Sequence, residues 1–436
     1  MKLFQQMLVA SAAMSLVAPL AVQASDTFNL DGLNSYATSK KSSPRFDNKT
    51  FVNEVNEELA TLKDRVDGLE LKQNKFEAGS FSDTTTMDGK AIFTLGAAQI
   101  DDGHPSSITG EENTKFVYSY TLNLNSSFTG DDNLYVRIKT GNHDDTIFES
   151  KTFGTYLSSA KGSADALKID KIWYQFPLGD NNTFWIGPKI ENYYMHGTTP
   201  SIYKPVTKQF TLGGNGEAYG ASTDTGAGWA YRADNGFAVS SNIGTKSTTT
   251  TSGTNTGLLT DESKTSWATQ VGYTQPTFSA SAIVNVKSNG WSDTYYHTAS
   301  HGGTAAAGDS LGNFTSVGLR GWWRPEESGT NVPSISVGYD TTNYDGATNE
   351  TDASSAYFVG LNWTDTFQAD DKIGVAFGQP TKNKDEISDP FAYEVYYSFK
   401  PNDSLTVTPA VFGGSDRNGT KNTDVFGYVL ETTFKF

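Results

Sequence analysis

Cysteine is absent from the 436 residues of this chain. Its absence excludes disulfide bonds, thiol nucleophiles and thiolate metal sites. Basic residues are in deficit as well, because 33 Lys and Arg stand against 49 Asp and Glu, for a net charge of −16. Nucleic acids are bound by basic patches, so this acidic balance argues against a nucleic-acid partner.

Long apolar runs are missing beyond the N-terminus. Residues 1–24 carry Lys2, the apolar stretch "MLVASAAMSLVAPLAV" and a small-residue site ending at Ala24, which together predict a cleaved secretory signal peptide. The alternative for this stretch is a buried N-terminal helix. No later segment approaches the roughly 18 consecutive apolar residues that a membrane-spanning helix needs.

The chain also lacks the motifs of common catalytic sites. It has no H-E-x-x-H, no phosphate-binding P-loop and no G-x-S-x-G turn. The Gly-rich stretch "GGNGEAYG" (213–220) lacks the spacing of a dinucleotide site, so we interpret it as a loop. These absences predict a protein that is not an enzyme and that uses neither a cofactor nor a metal.

Apolar residues between 47 and 79 repeat with alternating spacings of three and four. A polar linker (25–46) precedes this segment, and the narrow seam predicts a periplasmic coiled-coil helix. The alternative is a single amphipathic helix lying on a domain surface. Gly68 weakens the helix, which indicates that association also needs other surfaces. The seam consists of Val52, Val55, Leu59, Leu62, Val66, Leu69 and Phe76.

From about residue 80 to 436 the hydrophobic period changes to two. Segments such as "FVYSYTLNL" (116–124) and "LYVRIK" (134–139) alternate apolar and polar side chains, and the whole region contains sixteen predicted strands. Short turns such as "GDNN" (179–182) follow even-numbered strands, whereas long polar stretches such as 142–166 follow odd-numbered ones. This layout predicts an all-β transmembrane barrel of antiparallel strands with short periplasmic turns.

The chain ends in the alternating sequence "GYVLETTFKF" (427–436). A sheet in contact with lipid cannot leave an open edge, because its unpaired backbone groups find no water there. We therefore expect the last strand to pair with the first, near "KAIFTLGA" (90–97), and to close the barrel.

Three stretches resemble the porins of cyanobacterial outer membranes, which belong to the OprB-type superfamily of carbohydrate-selective porins. They are residues 58–97 with "ELATLKDRVDGLELKQNKFEAGSF", residues 170–190 with "DKIWYQFPLGDNNTFWIGPKI", and the terminal "TTFKF". The resemblance covers roughly residues 48–436. It implies a barrel in outer-membrane lipid, a homotrimer, passage of small hydrophilic solutes, and a terminal Phe436 that the barrel assembly machinery reads.

Members of that superfamily usually carry an S-layer-homology domain, which binds the cell wall, before the coiled coil. The linker at 25–46 is too short for this domain, which argues against cell-wall binding by that route.

A barrel of this size keeps a lumen filled with water, so lumen-facing charges set its selectivity. Alternation places more cations than carboxylates on those faces, which predicts a preference for anions. The alternative is that the cations pair with loop carboxylates or lie at the rim facing lipid phosphates. The pore-lining candidates are Arg137, Lys139, Lys171, Lys189, Arg232, Lys287, Arg320, Arg324 and Glu394.

The third long loop, residues 190–221, is expected to fold inward and narrow the pore, as such loops do in sixteen-stranded porins. The alternative is an ordinary surface loop. Its aromatic rings and cations suit stacking on sugars or slow passage of small anions. The constriction candidates are Tyr193, Tyr194, His196, Tyr203, Lys204 and Lys208.

The sequence thus predicts a passive diffusion channel for small hydrophilic solutes, with inorganic ions, iron species and carbohydrates all compatible. The competing hypothesis is a structural outer-membrane anchor, in which a plugged barrel carries a periplasmic helical stalk.

Overall fold

The computed structural model describes residues 84–101, 113–151, 154–214, 216–219, 225–246, 260, 263–289, 291, 312–329, 331–345, 353–384, 386–416, 421 and 423–436. The predicted signal peptide, linker and coiled-coil helix lie outside these residues. They therefore stay predictions.

The described residues form 16 strands, each with the period-two alternation of side chains that a two-faced sheet requires. The strands are β1 (Thr85–Ile100), β2 (Lys115–Ser126), β3 (Asn133–Gly141), β4 (Lys168–Pro177), β5 (Asn182–Lys189), β6 (Thr225–Arg232), β7 (Phe237–Lys246), β8 (Lys264–Thr274), β9 (Phe278–Ser288), β10 (Asn313–Trp323), β11 (Ser334–Asp345), β12 (Ala353–Thr364), β13 (Lys372–Asn383), β14 (Phe391–Asn402), β15 (Leu405–Ser415) and β16 (Val425–Lys435).

Each strand pairs antiparallel with its neighbours in the sequence, and β1 pairs with β16 to close a barrel. The closing ladder runs from Lys90 opposite Lys435 to Ile100 opposite Val425. Phe436 extends this ladder, because its backbone N–H donates to the Gly89 carbonyl (3.2 Å) and its carbonyl accepts from the Gly89 N–H (2.9 Å). The predicted sixteen-stranded antiparallel barrel and its closure at the C-terminus are confirmed.

Connections after even-numbered strands are short, as at 178–181, 233–236 and 403–404. Connections after odd-numbered strands reach much greater lengths, as at 142–167 and 190–224. Short turns mark the periplasmic end in barrels of this kind, so we assign that end to the turns after even-numbered strands.

The two faces of the wall differ in chemistry. Large apolar side chains point outward, where Phe116 is 65% exposed, Trp267 58% and Leu319 51%. Their sequence neighbours point inward and are mostly polar and buried, as Ser266 and Arg320 are. None of the helices in the described part of the chain is long and apolar enough to cross a membrane.

Candidate functional site

Two long connections run through the interior of the barrel. We name residues 142–167 loop L2 and residues 190–224 loop L3. The backbone N–H of Thr198 in L3 donates to the inward side chain of Gln270 on β8 (3.0 Å). The Ser159 hydroxyl of L2 contacts the carboxylate of Glu431 on β16. Because these partners face inward from distant strands, both loops lie inside the lumen.

L2 and L3 also pair with each other. The N–H of Ser158 donates to the Val206 carbonyl (2.8 Å), and the N–H of Lys208 donates to the Tyr156 carbonyl (2.7 Å). A β-bridge joins Leu157 and Thr207 between them. The two loops therefore cross the lumen as one hydrogen-bonded unit, which satisfies backbone groups that would otherwise be buried without partners.

An apolar cluster attaches this unit to one side of the wall. Burial of each of its large side chains contributes about 1.5–3 kcal/mol relative to exposure. The loops supply Ile147, Phe148, Leu157, Tyr203, Val206 and Phe210, and the wall supplies Phe358, Tyr396 and Phe412 on β12, β14 and β15. Such a cluster inside a barrel fixes the position of the loops and fills that side of the lumen.

Glu394 on β14 holds the segment of L3 that follows Tyr203. Its carboxylate is fully buried and accepts hydrogen bonds from the Tyr203 hydroxyl (2.9 Å), the Val206 N–H (3.1 Å) and the Thr207 N–H (2.8 Å). The Thr207 hydroxyl also contacts it. A buried carboxylate with this many donors is a structural anchor.

Arg320 on β10 holds a second segment of L3. Its guanidinium, with 1% of the side chain exposed, donates to the Leu212 carbonyl (2.8 Å) and to Asp340 on β11 (2.7 Å). Gly213 is required beside it, since its φ is +73° and a Cβ would lie 2.6 Å from the Arg320 side chain. A Cβ at Gly216 would collide with the Asp340 carboxylate.

Lys287 on β9 holds the next residues of L3. Its ammonium is fully buried and donates both to the Glu217 carbonyl (2.7 Å) and to the Glu217 carboxylate (2.9 Å). Both side chains of this ion pair are at most 2% exposed. Removing one partner of such a pair would leave an uncompensated buried charge.

Arg232 at the end of β6 secures the first part of L3. Its guanidinium donates to the carbonyls of His196 (2.7 Å) and Gly197 (3.1 Å). His196 itself is buried against the Tyr219 ring, at a centroid distance of 5.3 Å. Burial lowers the pKa of His196 to about 3, so this imidazole is neutral at neutral pH.

The wall formed by β1, β3 and β4 carries a cluster of cations, which we call the basic wall. Arg137 pairs with Asp170 and with Glu191 of L3 (2.9 Å). Lys90, Lys139 and Lys171 form no ion pair or hydrogen bond with any residue that the structure describes. The basic wall comprises Lys90, Arg137, Lys139 and Lys171. Lys161 of L2 and Lys208 of L3 lie beside it, with the carboxylates Asp170, Glu191 and Glu431 in range.

Aromatic rings of L3 border the basic wall. Tyr194 packs on the inward ring of Trp173 at a centroid distance of 5.2 Å and on Tyr193 at 5.0 Å. Trp173 in turn contacts Tyr135 at 4.4 Å, and both are buried. Tyr194 remains 44% exposed, so this stack presents one aromatic face beside the cations of the wall.

The structure distributes the constriction candidates over three places. Tyr193, Tyr194 and Lys208 lie beside the basic wall, whereas His196 and Tyr203 are buried as contacts of the barrel wall. Lys204 is exposed and faces a cavity at the periplasmic end, which Arg324 also lines.

The lumen position predicted for Lys189 is wrong. A bulge between β4 and β5 shifts the register, so that Lys189 lies opposite the outward-facing Ile172. Its exposed ammonium donates to the Ile169 carbonyl (3.0 Å). A shift of one residue moves a side chain to the other face of a sheet, which explains the error.

Sequence reasoning missed the inward course of L2. Its signal was the adjacent apolar pair Ile147 and Phe148 in a largely polar loop, and both side chains are buried in the cluster between loops and wall. It also missed Asp170, Glu217 and Asp340, whose cationic partners are remote in sequence or on another strand. In the described part of the chain, no group of three or more His, Asp and Glu is arranged to hold a metal ion.

A closed barrel that is apolar outside, polar inside and narrowed by loops defines the porins of outer membranes. Such proteins are channels and not enzymes. Within that class, this chain belongs to a particular family, because residues 47–436 match the family model described as carbohydrate-selective porin, OprB family. The family places the barrel in the outer membrane.

Solved structures share the fold at low sequence identity. OprB of Pseudomonas putida, in its high-pH structure, superposes with a TM-score of 0.59 at 12% identity, covering 84% of this chain and 96% of that one. The DcaP channel of Acinetobacter baumannii gives a TM-score of 0.52 at 13% identity, covering 82% and 100%. Identities this low support the shared fold and nothing finer.

Two curated relatives come from cyanobacteria. An uncharacterized protein of Nostoc sp. is 26% identical over 426 residues, which are 88% of this chain and 71% of that protein. An uncharacterized protein of Synechocystis sp. is 30% identical over 139 residues, which are 32% of this chain and 25% of that protein.

Proposed function

We propose that this channel passes small hydrophilic solutes by passive diffusion and that its constriction favours anions over cations. The observation that carries this proposal is the basic wall, where cations outnumber carboxylates among the described residues. Lys90 is exposed and Lys139 is half-buried, so both ammonium groups are within reach of a passing ion.

The physical basis is the local field. A narrow aqueous path between low-dielectric walls focuses the field of fixed charges and raises the local concentration of counter-ions. Charges separated from the path by less than the Debye length, about 10 Å at 0.1 M salt, are only partly screened. A net negative chain can therefore contain a locally positive constriction.

The experiment is a reversal-potential measurement on the purified protein in planar bilayers under a tenfold KCl gradient. We expect chloride to permeate better than potassium, and the double variant Lys90→Ser, Lys139→Ser to reduce the chloride-to-potassium permeability ratio several-fold. Lys189→Ser is the matched control, because it removes one cation from the outward face and should change the ratio less than the double variant does. Better permeation of potassium by the unmodified channel would contradict the anion preference.

The same recording tests the competing function. The loops L2 and L3 fill part of the lumen, which is the observation that favours a plugged structural anchor. Ohmic single-channel steps would support the channel, whereas bilayers that stay silent despite verified insertion would support the anchor.

Carbohydrates are the second solute class of the proposal. The family description supports them, and so does the exposed face of Tyr194, since aromatic faces stack on the C–H face of sugar rings. The pore would then combine one stacking surface with a field that attracts negative groups.

We also infer a homotrimer, in which the coiled-coil seam at 47–79 adds to contacts between barrel walls. The heptad spacing of residues such as Val55, Leu59 and Leu62 supports this inference. Phe436, whose backbone pairs with β1, is proposed as the residue that the barrel assembly machinery reads.

A further inference from the structure

A cavity of about 690 Å³ opens beneath L3 at the periplasmic end of the lumen. One side of it is formed by Ile202 and Lys204 of L3, and another by the inward ends of β11, β12 and β13. The connection between β10 and β11, from Arg324 to Val332, covers it from the periplasmic side. Volumes of about 300–1,000 Å³ are those of sites for small organic molecules.

The cavity is held in shape by hydrogen bonds around its rim. The Arg324 N–H donates to the Thr277 carbonyl (2.8 Å), and its Nε donates to the Pro276 carbonyl (2.7 Å). The Gly329 N–H donates to the Thr364 carbonyl (3.0 Å). On the L3 side, the Ile202 N–H donates to the Ser336 hydroxyl (3.2 Å). A site that is already formed loses less entropy when it binds a ligand.

Three cations converge on this space. Lys204 and Lys372 are exposed, lie in electrostatic range of each other, and make no hydrogen bond or ion pair with any residue that the structure describes. Arg324 uses its Nε in the bond to Pro276, and its guanidinium lies over the Trp322 ring at 6.0 Å from the centroid. Asp370 also lies in electrostatic range of Lys372. An anion bound between Lys204 and Lys372 would relieve the repulsion between these two like charges.

The rest of the lining selects among anions. Glu326 and Glu327 lie at the exposed rim, and Ser334, Asn362 and Thr364 line the interior. The two carboxylates would repel a small, highly charged ion, but they accept hydrogen bonds from hydroxyl groups. Apolar faces of Ile202, Val332, Pro276 and Pro325 are available for a C–H surface.

We infer that this cavity binds a sugar-sized organic anion, a polyhydroxylated ring that bears one phosphate or carboxylate group. The acid group would lie among Lys204, Lys372 and Arg324. The hydroxyl groups would form hydrogen bonds with the carboxylates of Glu326 and Glu327 and with the amide of Asn362. The inference rests on the proposed function, since it places this binding site on the path that a solute follows through the lumen to the periplasm.

The test is calorimetric titration of the detergent-solubilised full-length protein in 0.1 M KCl with glucose 6-phosphate, glucose and inorganic phosphate. Glucose 6-phosphate should bind at least tenfold more tightly than either of the other two. The double variant Lys204→Ser, Lys372→Ser should weaken its binding at least tenfold. Lys189→Ser, on the outward face of β5 and outside the lining, is the matched control and should bind as the unmodified protein does.

Equal binding of glucose and glucose 6-phosphate would overturn the role of the cations, and equal binding of inorganic phosphate would overturn the role of the hydroxyl-binding side. Unchanged binding by the double variant would mean that glucose 6-phosphate binds elsewhere than in this cavity. A channel that prefers potassium yet binds glucose 6-phosphate through Lys204 and Lys372 would contradict the proposed function and support the site. A channel that prefers chloride but does not bind glucose 6-phosphate would support the proposed function and contradict the site.

Discussion

The two sides of the lumen use their cations differently. On β9 and β10, Lys287 and Arg320 are at most 4% exposed, and each bonds a carboxylate together with a backbone carbonyl of L3. On β1 and β3, Lys90 and Lys139 have no such partner among the described residues. Both pairs follow the same alternation in the sequence, so the partner and not the position separates a cation that holds L3 from one without a counter-ion.

This difference has an energetic reason. A cation taken out of water costs several kcal/mol unless a carboxylate and further hydrogen-bonding groups compensate it, and the wall of β9 to β11 supplies both through L3 and Asp340. Lys90 is exposed and Lys139 is half-buried, so both remain in contact with water and need no such partner, whereas Lys171 is buried without one among the described residues. The field of the unpaired cations is therefore available to solutes, whereas that of the paired cations is largely cancelled.

The largest effect is expected when an anchor is broken. Arg320→Met should leave Asp340 buried without its counter-ion and destabilise the docked position of L3 by about 3–5 kcal/mol. L3 should then be cleaved by protease in the folded, detergent-solubilised barrel, where the unmodified protein resists. Lys139→Met is the matched control, since it removes a cation without a buried partner and should leave L3 protected.

A second variant keeps this prediction testable if Arg320→Met assembles poorly. The double variant Arg320→Met, Asp340→Leu removes both charges, and replacing a buried pair by apolar groups is often close to neutral. Protection of L3 should return in the double variant. Continued cleavage there would mean that the contacts of Arg320 with the carbonyl of Leu212, and not its charge, hold the loop.

An intermediate effect is expected at Glu394. Glu394→Gln keeps the size of the side chain but replaces an acceptor oxygen by an amide group, so one of the donors from Thr207 or Val206 loses its acceptor. The cost is about 1–3 kcal/mol, as for an unsatisfied buried donor. Single-channel currents should show more frequent transitions between conductance levels, while the chloride-to-potassium permeability ratio stays unchanged. A changed ratio with steady currents would place Glu394 in the conducting path.

Alternation alone predicted which face most strand residues occupy, because burial of one face fixes the register of a sheet. It failed at Lys189, where a bulge shifts the register by one residue. Alternation could not predict which loop residues the inward side chains contact. Glu394 and Tyr203, for example, are 191 positions apart, and no local pattern encodes such a contact. The apolar pair Ile147 and Phe148 was a local signal for an inward L2, because a loop in water has no reason to carry it.

The smallest effect is expected from protonation of the imidazoles in loops L2 and L3. His143 in L2 and His196 in L3 are buried, and burial lowers their pKa values to about 4 and about 3. Nε2 of His196 meets no hydrogen-bond partner within the described residues. The neutral form is therefore favoured only while the loops are docked.

Docking of L2 and L3 is expected to weaken as the pH falls. A loop released from the wall takes up a proton with the ordinary histidine pKa near 6.5, so docking is fully stable above that pH and weakens as the pH falls below it. At pH 5.5 the loss is about 1.4 kcal/mol for each histidine, since one pH unit corresponds to a factor of ten. Current fluctuations should therefore increase reversibly between pH 7 and pH 5.5 and become independent of pH in the variant His143→Gln, His196→Gln. If the variant keeps the full pH response, the titrating groups lie elsewhere, and the buried carboxylate of Glu394, which holds L3, is tested next with Glu394→Gln.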